Sequence, residues 1–194
     1  MNDKTSLAPP GAGLPPLEHL LARVGFLLLR SALTRRRIEV WLSAETRRVC
    51  DTARGLSLEQ MQRQVLIPRV MGIEDSSRNW SAAMVLQHLV IVDTGIGELV
   101  TALSADHAFG REVRIADVKP IPGAGREQLS ALEDALTAYL ARVETIRNLH
   151  TARRHAHPWF GALDGHGWHV LAALHTMIHR RQLDAIVRMV NEHP

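Results

Sequence analysis

A chain of 194 residues fits one domain, large enough to bury a single substantial core without disulfides or several metals to hold it. Apolar residues at 46% and charged residues at 22% are globular composition, and Ala, Leu, Arg, Glu and Gln dominate the interior segments, as helices prefer. The formal charge is only +3 with scattered arginine clusters and no aromatic stacking motif or zinc finger, which argues against nucleic acid as a partner, and the single Cys50 rules out an internal disulfide.

Residues 1–16 end in Leu14-Pro15-Pro16, lack the basic start and apolar stretch of a signal peptide, and read as a disordered tail. Residues 17–194 then form one domain. Pro15 and Pro16 open a first helix whose apolar residues Leu17, Leu20, Leu21, Val24, Leu27 and Leu28 recur at helical spacing. The pattern resumes through Ile38, Trp41, Leu42 and Val49, so one long helix or a broken pair runs to about Ala53 and ends near Gly55. The stretch Leu20 to Leu33 contains Arg23 and Arg30 and is too short to span a bilayer; no membrane and a cytoplasmic location are expected.

Ser57 and Gln60 form a capping-box pattern that predicts a short helix, closed by Pro68 and Gly72. After a polar loop from Glu74 to Asn79, a long helix is expected from Trp80 to Ser104, with Met84, Val85, His88, Val92 and Leu99 on a shared stripe. Gly95 and Gly97 inside it point to close packing or a kink. Pro120, Pro122, Gly123 and Gly125 make Asp106 to Gly125 a long connection of the kind that often has a role of its own. Helices from Arg126 to His150 and from Gly165 to Val190 complete an all-α four-helix bundle with long connections, an architecture that builds metal and ligand sites from inward-facing side chains.

Eleven histidines are many for this length, and spacing selects among them. His175 and His179 are four apart on the last helix, with Cβ atoms ~5–6 Å apart on one face. That face continues through Trp168, Leu171, Ala172, Gln182 and Ile186 and therefore points inward. His88 lies in the apolar run Val85 to Val92, where an unpartnered imidazole would be costly. Three inward histidines on two helices favour a metal site. His155, His157, His166 and His169 crowd the same region, and the His166/His169 pair at i, i+3 remains the competing choice; Trp159, Phe160 and Trp168 are read as packing at one end of the bundle. Asp93 and Asp184 are offset from the histidine faces and expected to point outward. Gln182 is positioned to orient a ligand from behind.

The chain resembles the DinB/YfiT-like superfamily of metal-binding four-helix bundles. The resemblance rests on His88 within Leu86-Gln87-His88-Leu89, on His175-Thr176-Met177-Ile178-His179 followed by Gln182, and on the approach His157-Pro158-Trp159-Phe160-Gly161, with Trp168 seven residues before His175. It covers about Trp80 to Ile186. It implies one divalent metal on His88, His175 and His179, and a metal-dependent, thiol-using transferase or hydrolase acting on a small molecule. Three neutral imidazoles leave at least one coordination position open, as in catalytic rather than structural sites. Zinc and nickel suit such a site best, with iron a further candidate. A non-catalytic metal-binding protein with a stress or structural role is the alternative. Apolar positions left over on the first helix, Phe26 and Leu29 among them, predict a homodimer.

Overall fold

The structure, a computed structural model, describes residues 7–192. Six α-helices carry most of it: α1 (Pro16–Ala32), α2 (Arg35–Arg54), α3 (Leu58–Gln62), α4 (Ala82–Ser104), α5 (Glu127–Thr145) and α6 (Gly165–Glu192). Two short antiparallel ribbons interrupt them. β1 (Val65–Leu66) pairs with β2 (Asn79–Trp80), and β3 (His155–His157) pairs with β4 (Gly161–Leu163). The mainly helical class expected from composition is the class observed.

The four long helices α2, α4, α5 and α6 pack side by side in the pairs α2/α6, α6/α4, α4/α5 and α5/α2. Local chemistry fixes their ends. Ser57 and Gln60 exchange both hydrogen bonds of a capping box at α3, and the Ser81 hydroxyl accepts from the Met84 amide to start α4. Asp164 does the same for α6, accepting from the Gly167 amide at 2.9 Å. The helix predicted to reach His150 stops at Thr145, and Ile146 already has extended backbone.

The first apolar region is a broken pair, interrupted at Leu33 and Thr34. The break lets α2 join the central pack while α1 packs against α6. Of α1 only Phe26 is fully buried, stacked on Phe160 with ring centroids 4.4 Å apart. This reverses the expectation for its apolar residues: Phe26 and Leu29 turn inward, and Leu17, Leu20, Val24, Leu27 and Leu28 face outward. His19 to the Trp159 carbonyl and Arg30 to Asp164 pin the two ends of α1.

The expected tail at 1–16 falls partly outside the described residues, which begin at Leu7. From there the backbone amide of Ala8 donates to Asp75, and those of Gly11 and Gly13 to Glu74.

The core divides in two. One cluster includes α4 as far as Leu89 and α6 from Leu183 onward; the other includes α4 from Ile96 and α6 as far as Ala173. Between them both helices carry polar side chains. That gap holds Asp93 on α4, with His88 at its edge beside Leu89, and His175, His179 and Gln182 on α6. Among the described residues α4 is the one helix long and apolar enough to cross a membrane, and 61% of its most apolar window is buried in the interior.

Candidate metal centre

His88, His175 and His179 converge. Their ligating nitrogens all lie within 4.8 Å of one another, and the Nε2 atoms of His88 and His175 are 3.1 Å apart. Two nitrogens held ~2.0–2.1 Å from one tetrahedral ion stand ~3.3 Å apart, so this spacing is close to that of a shared ion. The ring centroids form a compact triangle with sides of 4.3, 4.4 and 4.9 Å. Helical geometry alone places His175 over His179; packing of α4 against α6 brings His88 to them.

The other face of two rings is anchored. His88 Nδ1 lies 2.7 Å from the Val118 carbonyl, which can only accept, so Nδ1 holds the proton and Nε2 presents a lone pair to the centre. His179 Nδ1 lies 2.6 Å from Oε1 of Gln182, whose amide nitrogen donates to the Ser77 carbonyl at 2.7 Å. That second bond fixes which end of Gln182 faces His179, and so fixes the His179 tautomer. Gln182 therefore stands directly behind the His179 ring. Such partners orient the rings and raise their basicity toward a metal. His175 Nδ1 is buried and has no hydrogen-bond partner among the described residues.

Trp80, carried in by β2, stacks on His179 at 9° and meets His88 edge-on. Lys119 donates to the hydroxyls of Ser76 and Ser77 and sits over the Trp80 ring. Burial pushes His88 down to about 4, with the Val118 bond opposing and the nearby Lys119 charge adding to the effect. Burial also holds His175 and His179 well below the usual histidine range; the neighbouring imidazoles push both further down, and for His179 the Gln182 bond opposes. All three rings are therefore neutral at pH 7, the form that binds metal.

The remaining histidines go elsewhere. His166 points Nε2 at the Arg30 carbonyl, and His169 Nδ1 meets the Tyr139 hydroxyl at 2.8 Å. His155 packs against Phe109 and Trp168. His157, lowered to about 4 by burial, stacks on Phe160 and lines the same cavity as the three histidines. Trp159 and Phe160 line that cavity as well, so they are more than end packing. Asp184 pairs with Arg180, half-exposed.

Asp93 contradicts its expected outward position. It is 1% exposed, and neither carboxylate oxygen has a hydrogen-bond partner among the described residues. Burial raises it to about 8. The helical-wheel offset was right, but α4 is enclosed on that side too, by α5, whose Tyr139 feels the Asp93 charge.

Three contributors escaped the sequence reading. The carbonyls of Val118 and Ser77 leave no mark in a side-chain pattern. Trp80 did leave one, as one of only eight aromatic residues, set directly before the helix that bears His88. The long connection predicted to have a role does have one: its 3-10 turn at Ile115–Val118 supplies the His88 anchor, and the next residue is Lys119.

These features define a mainly helical protein with a largely buried group of three neutral imidazoles close enough to bind one metal ion. Comparison with protein-family models, curated proteins and solved structures finds no significant match to the chain.

Proposed function

We propose that the protein is a metal-dependent enzyme of the DinB/YfiT type, a four-helix bundle of α2, α4, α5 and α6 in which His88, His175 and His179 hold one divalent ion. The observation that carries this reading is the convergence of three imidazoles, two of them anchored through Nδ1, on the wall of a cavity of about 460 Å³. His88 and His175 turn their Nε2 atoms toward each other, and all three rings border open space.

When bound, the ion would supply Lewis acidity toward a thiol or a carbonyl oxygen of a small molecule. The chain's own part is to hold three neutral nitrogens at fixed angles, to fix the proton of His88 on Nδ1, and to screen the centre from water with Trp80, Trp159 and α1. Lys119 adds a positive charge beside it. Imidazole ligands suit zinc and nickel best, and iron next. The exposed apolar face of α1 supports a homodimer, which sedimentation at micromolar concentration tests.

The deciding experiment is elemental analysis of the purified protein beside His88→Ala, followed by titration of a cobalt-substituted sample with imidazole and a small thiol. One equivalent of metal, lost in the variant, and a perturbed cobalt spectrum are expected. Metal bound without spectral response to either ligand would turn the reading to a non-catalytic metal-binding protein; full metal in His88→Ala would remove the site.

A further inference from the structure

The cavity extends far beyond the three histidines. It runs under α1, between Ala22 and Phe26 on one side and Ile91, Ile96, Leu171 and Leu174 on the other, so its walls are overwhelmingly apolar. At about 460 Å³ it falls within the ~300–1,000 Å³ typical of small-molecule pockets.

Two glycines show that the space is kept open. Gly25 lies in the middle of α1 and Gly95 in the middle of α4, where a glycine is less favourable than alanine because it loses more backbone freedom on folding. Packing explains neither. A Cβ at Gly25 would meet nothing within 4 Å, and one at Gly95 would meet only the end of the Arg111 side chain, at 3.7 Å. Gly97, two residues on and facing the other side of α4, is the contrasting case: its Cβ would press on Tyr139 at 3.2 Å, which is the close packing expected for this pair of glycines. Gly25 and Gly95 both line the chamber, and any side chain there would project into it.

Charge marks one end. Most charged groups around the chamber are already engaged: Glu18 by the Gly72 amide and Arg69, Glu74 by the Gly11 and Gly13 amides, Arg111 by Glu98, and Arg114 by Asp117. Lys119 and Arg181 form no ion pair among the described residues, and Lys119 lies next to His88 and His179. Burial lowers the Lys119 pKa, and the Glu74 charge opposes that shift.

We propose that this chamber binds an apolar carboxylic acid, aliphatic or arylalkyl, with its chain under α1 between Gly25 and Gly95 and its carboxylate at the three-histidine end beside Lys119. Placement of the carboxylate rests on the metal reading above; placement of the chain does not.

The test is a titration of straight-chain carboxylates from hexanoate to dodecanoate, followed by tryptophan fluorescence and calorimetry, on zinc-loaded and on metal-free protein. Affinity should rise roughly fourfold per added methylene until the chamber is full, then level off. Gly25→Leu, a change that favours the helix, should weaken decanoate binding at least tenfold while metal content and helicity stay unchanged. Gly95→Leu, from the opposite wall, should do the same should the first variant displace α1. Affinity independent of chain length, or native decanoate affinity in both leucine variants, overturns the proposal. The metal-free arm separates the two readings: chain-length dependence that persists in protein unable to bind zinc keeps the chamber and removes the metal, and stoichiometric zinc without chain-length dependence does the reverse.

Discussion

α6 carries two histidine pairs one after the other, and they have opposite fates. His166 and His169, three apart near its start, each find a single protein partner, the Arg30 carbonyl and the Tyr139 hydroxyl. His175 and His179, four apart and two turns further on, face each other and His88. Burial does little to distinguish the pairs, since His166, His169 and His179 are all nearly inaccessible and only His175 is partly exposed. What distinguishes them is where the partner sits. His166 and His169 each turn one nitrogen to a separate protein group, whereas the second pair converges with His88 on one place, where His88 and His179 are each held by a hydrogen bond through Nδ1.

The largest expected effect tests that difference directly. His88→Ala, His175→Ala and His179→Ala should each abolish stoichiometric metal with far-UV helicity retained, because both halves of the core are built from other residues. His166→Ala and His169→Ala should keep the metal. Elemental analysis of all five variants decides it, and metal lost only in the first pair's variants would exchange the two assignments.

Gln182→Leu comes next. It removes the acceptor that fixes the His179 tautomer without touching the ligating nitrogen, and should weaken metal binding about 10- to 100-fold, measured by chelator competition. Metal affinity of the native protein should meanwhile change little between pH 6.5 and 8, because the three rings are already neutral there.

pH separates the histidine group from Asp93. The depressed histidines bind fewer protons folded than unfolded, so their contribution to stability is lost as pH falls from about 6.5 toward 4. Asp93 has the opposite sign. Its folded pKa is raised, so the folded state holds the extra proton, and stability falls as pH rises from about 4 to about 8. Between pH 6.5 and 8 its limiting slope is about 1.4 kcal/mol per pH unit. Asp93→Asn should flatten the dependence of the urea midpoint on pH in that window; an unchanged slope would mean that Asp93 is not protonated in the folded protein.

The effect that leaves the metal untouched belongs to the packing pair. Tyr139→Phe removes the partner of His169 Nδ1 and should destabilise by ~1–3 kcal/mol in denaturant titration, with metal content unaffected.

Much of this was legible in the chain itself. The 3.6-residue repeat marked every long helix, and the Ser57/Gln60 cap was readable because it involves residues three apart. His175, His179 and Gln182 declared themselves for the same reason: one helix face is fixed by local geometry. His88 was legible through its setting, a lone imidazole in an apolar run.

The rest depended on contacts between distant residues. Which histidine pair on α6 His88 would join depends on the relative placement of α4 and α6, and no spacing within α6 encodes it. Asp93 looked external because a helical wheel knows one helix at a time, whereas α4 is covered on several sides. The Val118 and Ser77 carbonyls are backbone atoms that any residue could provide. The two faces of α1 could be told apart only once Phe26 had found Phe160, since Leu and Phe are equally apolar in sequence and only the break at Leu33 and Thr34 decides which of them turns toward the chamber. Local periodicity thus determined the helices and half of the site, and the long-range packing of α1, α4 and the 106–125 connection onto α6 decided where the histidines meet, what holds them, and what space lies beside them.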